Sequence, residues 1–91
     1  MEHDIRHDAA HHRFVTEVDG HTAYVEYEPG DSAIAITHTI VPEAIGGRGI
    51  AASLVRAAAL HARNEGLRID PVCSYADGWL RKHPEFDGLR A

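Results

Sequence analysis

Polar and apolar residues alternate with period two through the first half of this chain and recur at helical spacing through much of the second. Arg13 to Val18 (RFVTEV) and Thr22 to Glu28 (TAYVEYE) alternate and carry β-branched and aromatic residues, so both read as strands, and Asp19-Gly20 between them is a hairpin turn. Pro29-Gly30-Asp31 makes a second turn, after which Ser32 to Val41 (SAIAITHTIV) reads as a third strand. Regular alternation predicts Ile34, Ile36, His38 and Ile40 on one face of that strand and Ala33, Ala35, Thr37, Thr39 and Val41 on the other. Three strands joined in this way form an antiparallel meander, which Pro42 ends. From Ile50 to about Glu65 the period changes: Ala51, Leu54, Val55, Ala58 and Ala62 form a stripe at helical spacing, and Gly66 is positioned to end the helix. Its many alanines imply close approach to a sheet, with Leu60 off the stripe and partly exposed. Leu67 to Cys73 (LRIDPVC) predicts a short fourth strand whose Pro71 assigns it to a sheet edge, and about Ala76 to His83 predicts a second helix stopped by Pro84. A crossover through the long helix would lay the fourth strand parallel to the third, giving an α+β fold with a mixed sheet. Residues 1 to 11 are polar and rich in His and Asp and read as a loosely ordered lead-in.

Length and charge narrow the functional classes. The 91 residues suffice for a single domain, 1–91, with one modest core, and not for the two halves of a doubly wound dehydrogenase. A net charge of −5 without any clustered run of Lys and Arg argues against a nucleic-acid partner and favours a cationic one such as an amine. No apolar run approaches the roughly 18–20 residues of a membrane span, and MEHDIRHDAAHH has no signal-peptide core, so no membrane partner and a cytoplasmic location are expected. The single Cys73 has no partner for an internal disulfide.

The chemistry concentrates at GGRGIA, Gly46 to Ala51, between the third strand and the long helix. Glycines there permit positive φ and close approach of an anion, and the first helical turn leaves N–H groups without intrahelical partners. Those donors and the positive helix end suit a phosphate or pyrophosphate, to which Arg48 adds a cation capable of bidentate contact. A plain connection with convenient glycines is the alternative. Gly47, Gly49 and Ala52 also fit the dinucleotide-binding pattern G-x-G-x-x-A, with Asp70 downstream. That fold needs its glycine turn after the first strand of a repeated parallel unit, and here the turn follows an antiparallel meander.

The same residues resemble the GNAT superfamily of acetyltransferases, whose signature is Q/R-x-x-G-x-G/A. Gly49 and Ala51 match its last two fixed positions, while Gly46 stands where Gln or Arg is usual. More specifically, Phe14 to Leu89 resembles the very small YJDJ-type N-acetyltransferase-like family through HTIVPEAIGGRGIAASLVRAA, PVCSY and WLRKHPEFDGL. The resemblance implies a minimal GNAT-like fold that binds acetyl-CoA and transfers acetyl to a primary amine, on a small molecule or on a protein lysine or N-terminus. It also leaves a non-catalytic module that binds or senses acetyl-CoA as the alternative. Carried over by position, Ile40 and Val41 end the strand whose backbone pairs with the pantetheine arm. Gly46, Gly47, Arg48, Gly49, Ile50 and Ala51 hold the pyrophosphate. His38 and Cys73 lie near the acetyl group.

Transfer to an amine needs a neutral nucleophile, donors for the oxyanion and a proton for the departing thiolate. Cys73 can accept the acetyl group as a thiolate or protonate coenzyme A as a thiol; its bland role is a small buried hydrophobe. His38 can be the base for Cys73 or for the amine, or a structural histidine bonded within the sheet. Tyr75 lies close behind Cys73 as another acid. Lys82 and Arg81 are candidates for the coenzyme A phosphates, although cations near a helix C-terminus are expected in any case. Trp79 and Leu80 read as core. His3, His7, His11 and His12 lack the companion ligands of a built metal site, and none is expected.

Overall fold

The computed structural model describes residues 3–91. Five strands, β1 (Arg6–Asp8), β2 (Arg13–Val18), β3 (His21–Pro29), β4 (Ala33–Ile40) and β5 (Arg68–Pro71), form one sheet in chain order. Pairing is antiparallel from β1 to β4, and β5 lies parallel to β4 after a crossover through α1 (Ile50–Asn64). A second helix, α2 (Ser74–Arg81), and a 3-10 stretch at Pro84–Leu89 complete the chain.

The β2–β3 hairpin closes on Asp19 and Gly20 with φ of 51° and 78°, the pair of positive angles that a two-residue type I′ turn demands. Phe14, Ala23, Val25, Tyr27, Ile34, Ile36 and Ile69 on one sheet face pack against Ile50, Leu54, Val55, Ala58, Ala59 and Ala62 of α1. Trp79 and Leu80 of α2 and Phe86 beyond it extend the same core. Leu54 is wholly buried there, so Leu54→Ala is expected to cost about 2–5 kcal/mol.

Two details depart from the alternation read along the chain. Residues 6–11 are ordered: β1 adds to the free edge of β2, a pairing that backbone groups make without an apolar pattern, and a 3-10 turn follows at Ala9–His11. Met1 and Glu2, also assigned to the lead-in, lie outside the described residues. In β4 the register slips by one. Glu26 faces His38 and Tyr27 faces Ile36, so Thr37 is an extra, bulged residue, its hydroxyl donating to the Glu26 carbonyl at 3.2 Å.

The slip reverses the faces of the strand beyond it. Thr39 lies opposite the buried Val25 and so joins the helix-covered face, whereas His38 and Ile40, opposite Glu26 and Tyr24, emerge on the open face. The shared face expected for Ile34, Ile36, His38 and Ile40 is therefore split at Thr37. Burying an imidazole among three isoleucines without a partner would have been costly, and the bulge avoids it.

β5 is an edge strand, as Pro71 requires. Part of its outer rim is occupied by the chain end, where the Ala91 N–H donates to the Ile69 carbonyl at 2.8 Å. Among the described residues no helix is long and apolar enough to cross a membrane.

Candidate active site

The loop after β4 is anchored by Ile45, fully buried at the end of a 3-10 turn (Glu43–Ile45), and then passes through four exposed residues into α1. Gly47 and Gly49 take φ of 76° and 75°; a Cβ at either would meet no atom within 4 Å, so the backbone angle and not crowding requires glycine. Gly49 is the N-cap of α1. It supplies no side-chain cap, and the first turn of the helix contains no acidic residue. The first bond at this end runs from the Ser53 N–H to the Gly49 carbonyl at 3.1 Å, leaving the N–H groups of Ile50, Ala51 and Ala52 ahead of it. The result is an uncapped, acid-free helix end whose partial positive charge is directed into the loop.

Arg48 is engaged by the hairpin turn between β2 and β3. Its Nη1 donates to Asp19 Oδ2 of the hairpin turn at 2.6 Å, and the His3 Nε2–H donates to the Arg48 carbonyl at 3.1 Å. The hairpin lies within reach because the pairing of Tyr24 with Ile40 puts the start of β3 beside the end of β4.

A few residues away the sheet divides. β5 pairs with β4 only from Ala33 to Ile36, and the Cys73 N–H makes the last link, to the Ile36 carbonyl at 2.9 Å. Past that point the β5-side edge of Thr37 to Ile40 has no strand beside it. Cys73 is the N-cap of α2, its half-buried Sγ accepting from the Ala76 N–H and contacting Thr39 Oγ1, both at 3.4 Å. Ile40, Val72 and Tyr75 are large apolar residues exposed by 43%, 60% and 42%. Burial, and then the neighbouring Cys73, push the Tyr75 phenol above its ordinary value, which keeps it a proton donor at neutral pH.

The bulge turns His38 away from the side of β4 that meets Cys73, so it is not placed as a base for that thiol. His38 is exposed on the open face and lines a depression of about 340 Å³ with Glu26, Glu28, His11 and His12. Cys73 meets Thr39 on the opposite side of the strand. Val41 packs against the core just before the loop, and Lys82 stands exposed at the far end of α2 from Cys73. The contacts of Thr39 with Cys73 and of Asp19 with Arg48 have no signal in the chain, because a bulge and a bond across 29 residues leave no local pattern.

The architecture and this junction define a GCN5-related acetyltransferase domain. The family model described as GCN5-related N-acetyl-transferase matches residues 13–89, and the chain belongs to that family. It is similar to Protein NATD1 of Bos taurus, 32% identical over 83 residues that cover 88% of this chain and 74% of the relative. The human Protein NATD1 is 31% identical with the same coverage. Among solved structures, the NMR structure of a GCN5-like protein from Staphylococcus aureus superposes with a TM-score of 0.75 at 28% identity, covering 97% of this chain and 87% of the other.

Proposed function

We propose that the protein binds acetyl-CoA and transfers its acetyl group to a primary amine, on a small molecule or on a protein lysine or N-terminus. The observation that carries this reading is the adjacency of two features: an uncapped α1 terminus without an acidic first turn, and the parting of β4 from β5 at Cys73. Acetyl-CoA bound there supplies an activated acetyl thioester.

The chain's own part follows from its groups. Backbone N–H groups from Gly46 to Ala51 hold the pyrophosphate, helped by Arg48 and, from α2, by Lys82. The free edge at Ile40 and Val41 pairs with the pantetheine amides as an added strand would. The Cys73 thiol either donates its proton to the departing coenzyme A thiolate or, once deprotonated, attacks the thioester and expels that thiolate; the amine then attacks the acetyl-cysteine, and its proton goes to the released Cys73 sulfur. His38 stands on the open face, where it can accept a proton from an amine drawn in by Glu26 and Glu28. The depression beside His38 is open among the described residues, which suits an extended acceptor.

A second reading, a non-catalytic module that binds or senses acetyl-CoA, is favoured by one observation. The partners of Cys73 Sγ are a hydroxyl and a backbone N–H, neither of which is a base.

Calorimetric titration with acetyl-CoA and with coenzyme A, followed by intact mass, tests both readings. Micromolar binding with an acetyl increment that Cys73→Ala removes supports covalent transfer through the thiol. Binding with acetylation of an added amine but no adduct supports direct transfer. Binding alone, unaltered by Cys73→Ala and His38→Ala, supports the sensing module. Absence of binding to either ligand sinks the proposal.

A further inference from the structure

Arg48 is the only cation within the Gly46–Ala51 loop, and its guanidinium is committed to Asp19 of the hairpin turn. The contact is short, 2.6 Å, but both side chains are well exposed, 46% for Arg48 and 67% for Asp19. An ion pair so hydrated is weak, worth less than a contact with a multiply charged anion at a helix terminus. The pair is therefore strong enough to choose a resting rotamer and weak enough to give way.

We infer that Asp19 is a latch for the phosphate loop: it holds Arg48 off the helix end in the free protein and surrenders it to the pyrophosphate of coenzyme A. The inference rests on reading Gly46–Ala51 as the pyrophosphate site. Asp19 makes no contact with the ligand and acts through Arg48, so it is a positioning residue. Its effect is to weaken binding by the amount needed to part the pair, and to keep the loop's charge neutralised against other anions until a ligand engages the backbone donors as well. His3, bonded to the Arg48 carbonyl, restrains the loop backbone while the side chain exchanges partners.

Asp19→Asn isolates the latch, because Asn tolerates the same positive φ and leaves the turn unstrained. Coenzyme A affinity is expected to rise about threefold in Asp19→Asn and to return to the wild-type value in Asp19→Glu, which restores the carboxylate. In an Arg48→Gln background, Asp19→Asn is expected to change nothing. Equal tightening in that background would mean that Asp19 acts only as a distant like charge and would overturn the latch. So would no tightening in the single variant. A ligand-free readout is independent of coenzyme A: the Arg48 guanidinium NMR signals, those of Nη1 above all, should shift in Asp19→Asn, and unmoved signals overturn the resting contact itself. Wild-type protein that binds no coenzyme A overturns the reading of the loop, an outcome distinct from wild-type binding that Asp19→Asn leaves unchanged.

Discussion

The two helices of this fold begin within a few residues of the same split in the sheet, and they begin in opposite ways. α2 closes its own terminus: the Cys73 thiol accepts from the Ala76 N–H, and Asp77 supplies a negative charge in the first turn. α1 does neither, starting on a left-handed glycine with no side-chain cap and no acid. A short helix of eight residues needs its cap, whereas α1, with six buried residues along fifteen, is held by packing and tolerates an unsatisfied end. Stability borrowed from the core thus leaves one terminus free for binding.

The sharpest way to break this contrast is to give α1 what α2 has. Ala51→Glu puts an acid in the first turn, which favours the helix dipole while repelling a pyrophosphate. Coenzyme A affinity should fall about tenfold or more with the melting temperature nearly unchanged; calorimetry and thermal unfolding measured together check this. Equal losses in both would mean that the variant harms the fold and not the binding end.

Cys73 tests the other terminus. Cys73→Ala removes the cap and should cost up to about 1 kcal/mol in denaturant unfolding, whereas Cys73→Ser keeps an acceptor at the N-cap and should cost little. Acetyl transfer that depends on the thiol falls in both, so the serine variant separates chemistry from capping. Thr39→Val should cost about 0.5 kcal/mol, enough to show whether the hydroxyl merely fills space beside Cys73.

The smallest expected effect comes from the opposite half of α1. There the His7 ring stacks on Phe14 and meets His61 edge-on, with centroids 4.3 and 4.6 Å apart, and shares a 2.6 Å hydrogen bond with the Tyr27 hydroxyl. Burial first, and then His61, hold its pKa below the ordinary 6.5. Folding favours the neutral ring, so this stability is complete above pH 6.5 and is lost as the pH falls through the lower folded value. Asp77, held below the ordinary 3.8 by Arg90 and then Arg81, loses its contribution only in stronger acid, which keeps the two windows apart. In His7→Gln the first fall should disappear from unfolding curves taken across pH, with coenzyme A affinity left as in wild type.

Much of the scaffold could be read from the chain because the signals were local: alternation in β2 and β3, Asp19-Gly20 at the hairpin, and the alanine-rich stripe of α1. β1 has no mark in the chain because its three residues, Arg6, His7 and Asp8, are polar, and the contacts that hold it, His7 on Phe14 and Tyr27 and Asp8 on Arg13, are made across strands. The glycine turn ahead of α1 was legible, with Gly47 and Gly49 at positive φ. The facing of His38 was not, since one extra residue at Thr37 inverts everything beyond it, and a bulge on a Thr-Ile background has no compositional mark.

The order of the strands has a kinetic meaning. Each antiparallel neighbour in the sheet is also the next strand in the chain, so only the docking of β5 must wait for the long connection through the 3-10 turn, the glycine loop and α1 to close. Pairings between chain neighbours close the shortest loops and lose the least chain entropy. The four-stranded meander can assemble early, and the last step to form is also the one that sets Cys73 against Thr39. Hydrogen exchange should therefore find the amides of β5 and α2 opening ahead of those of β2 and β3, so that the end carrying Cys73 is the part of the fold most often remade.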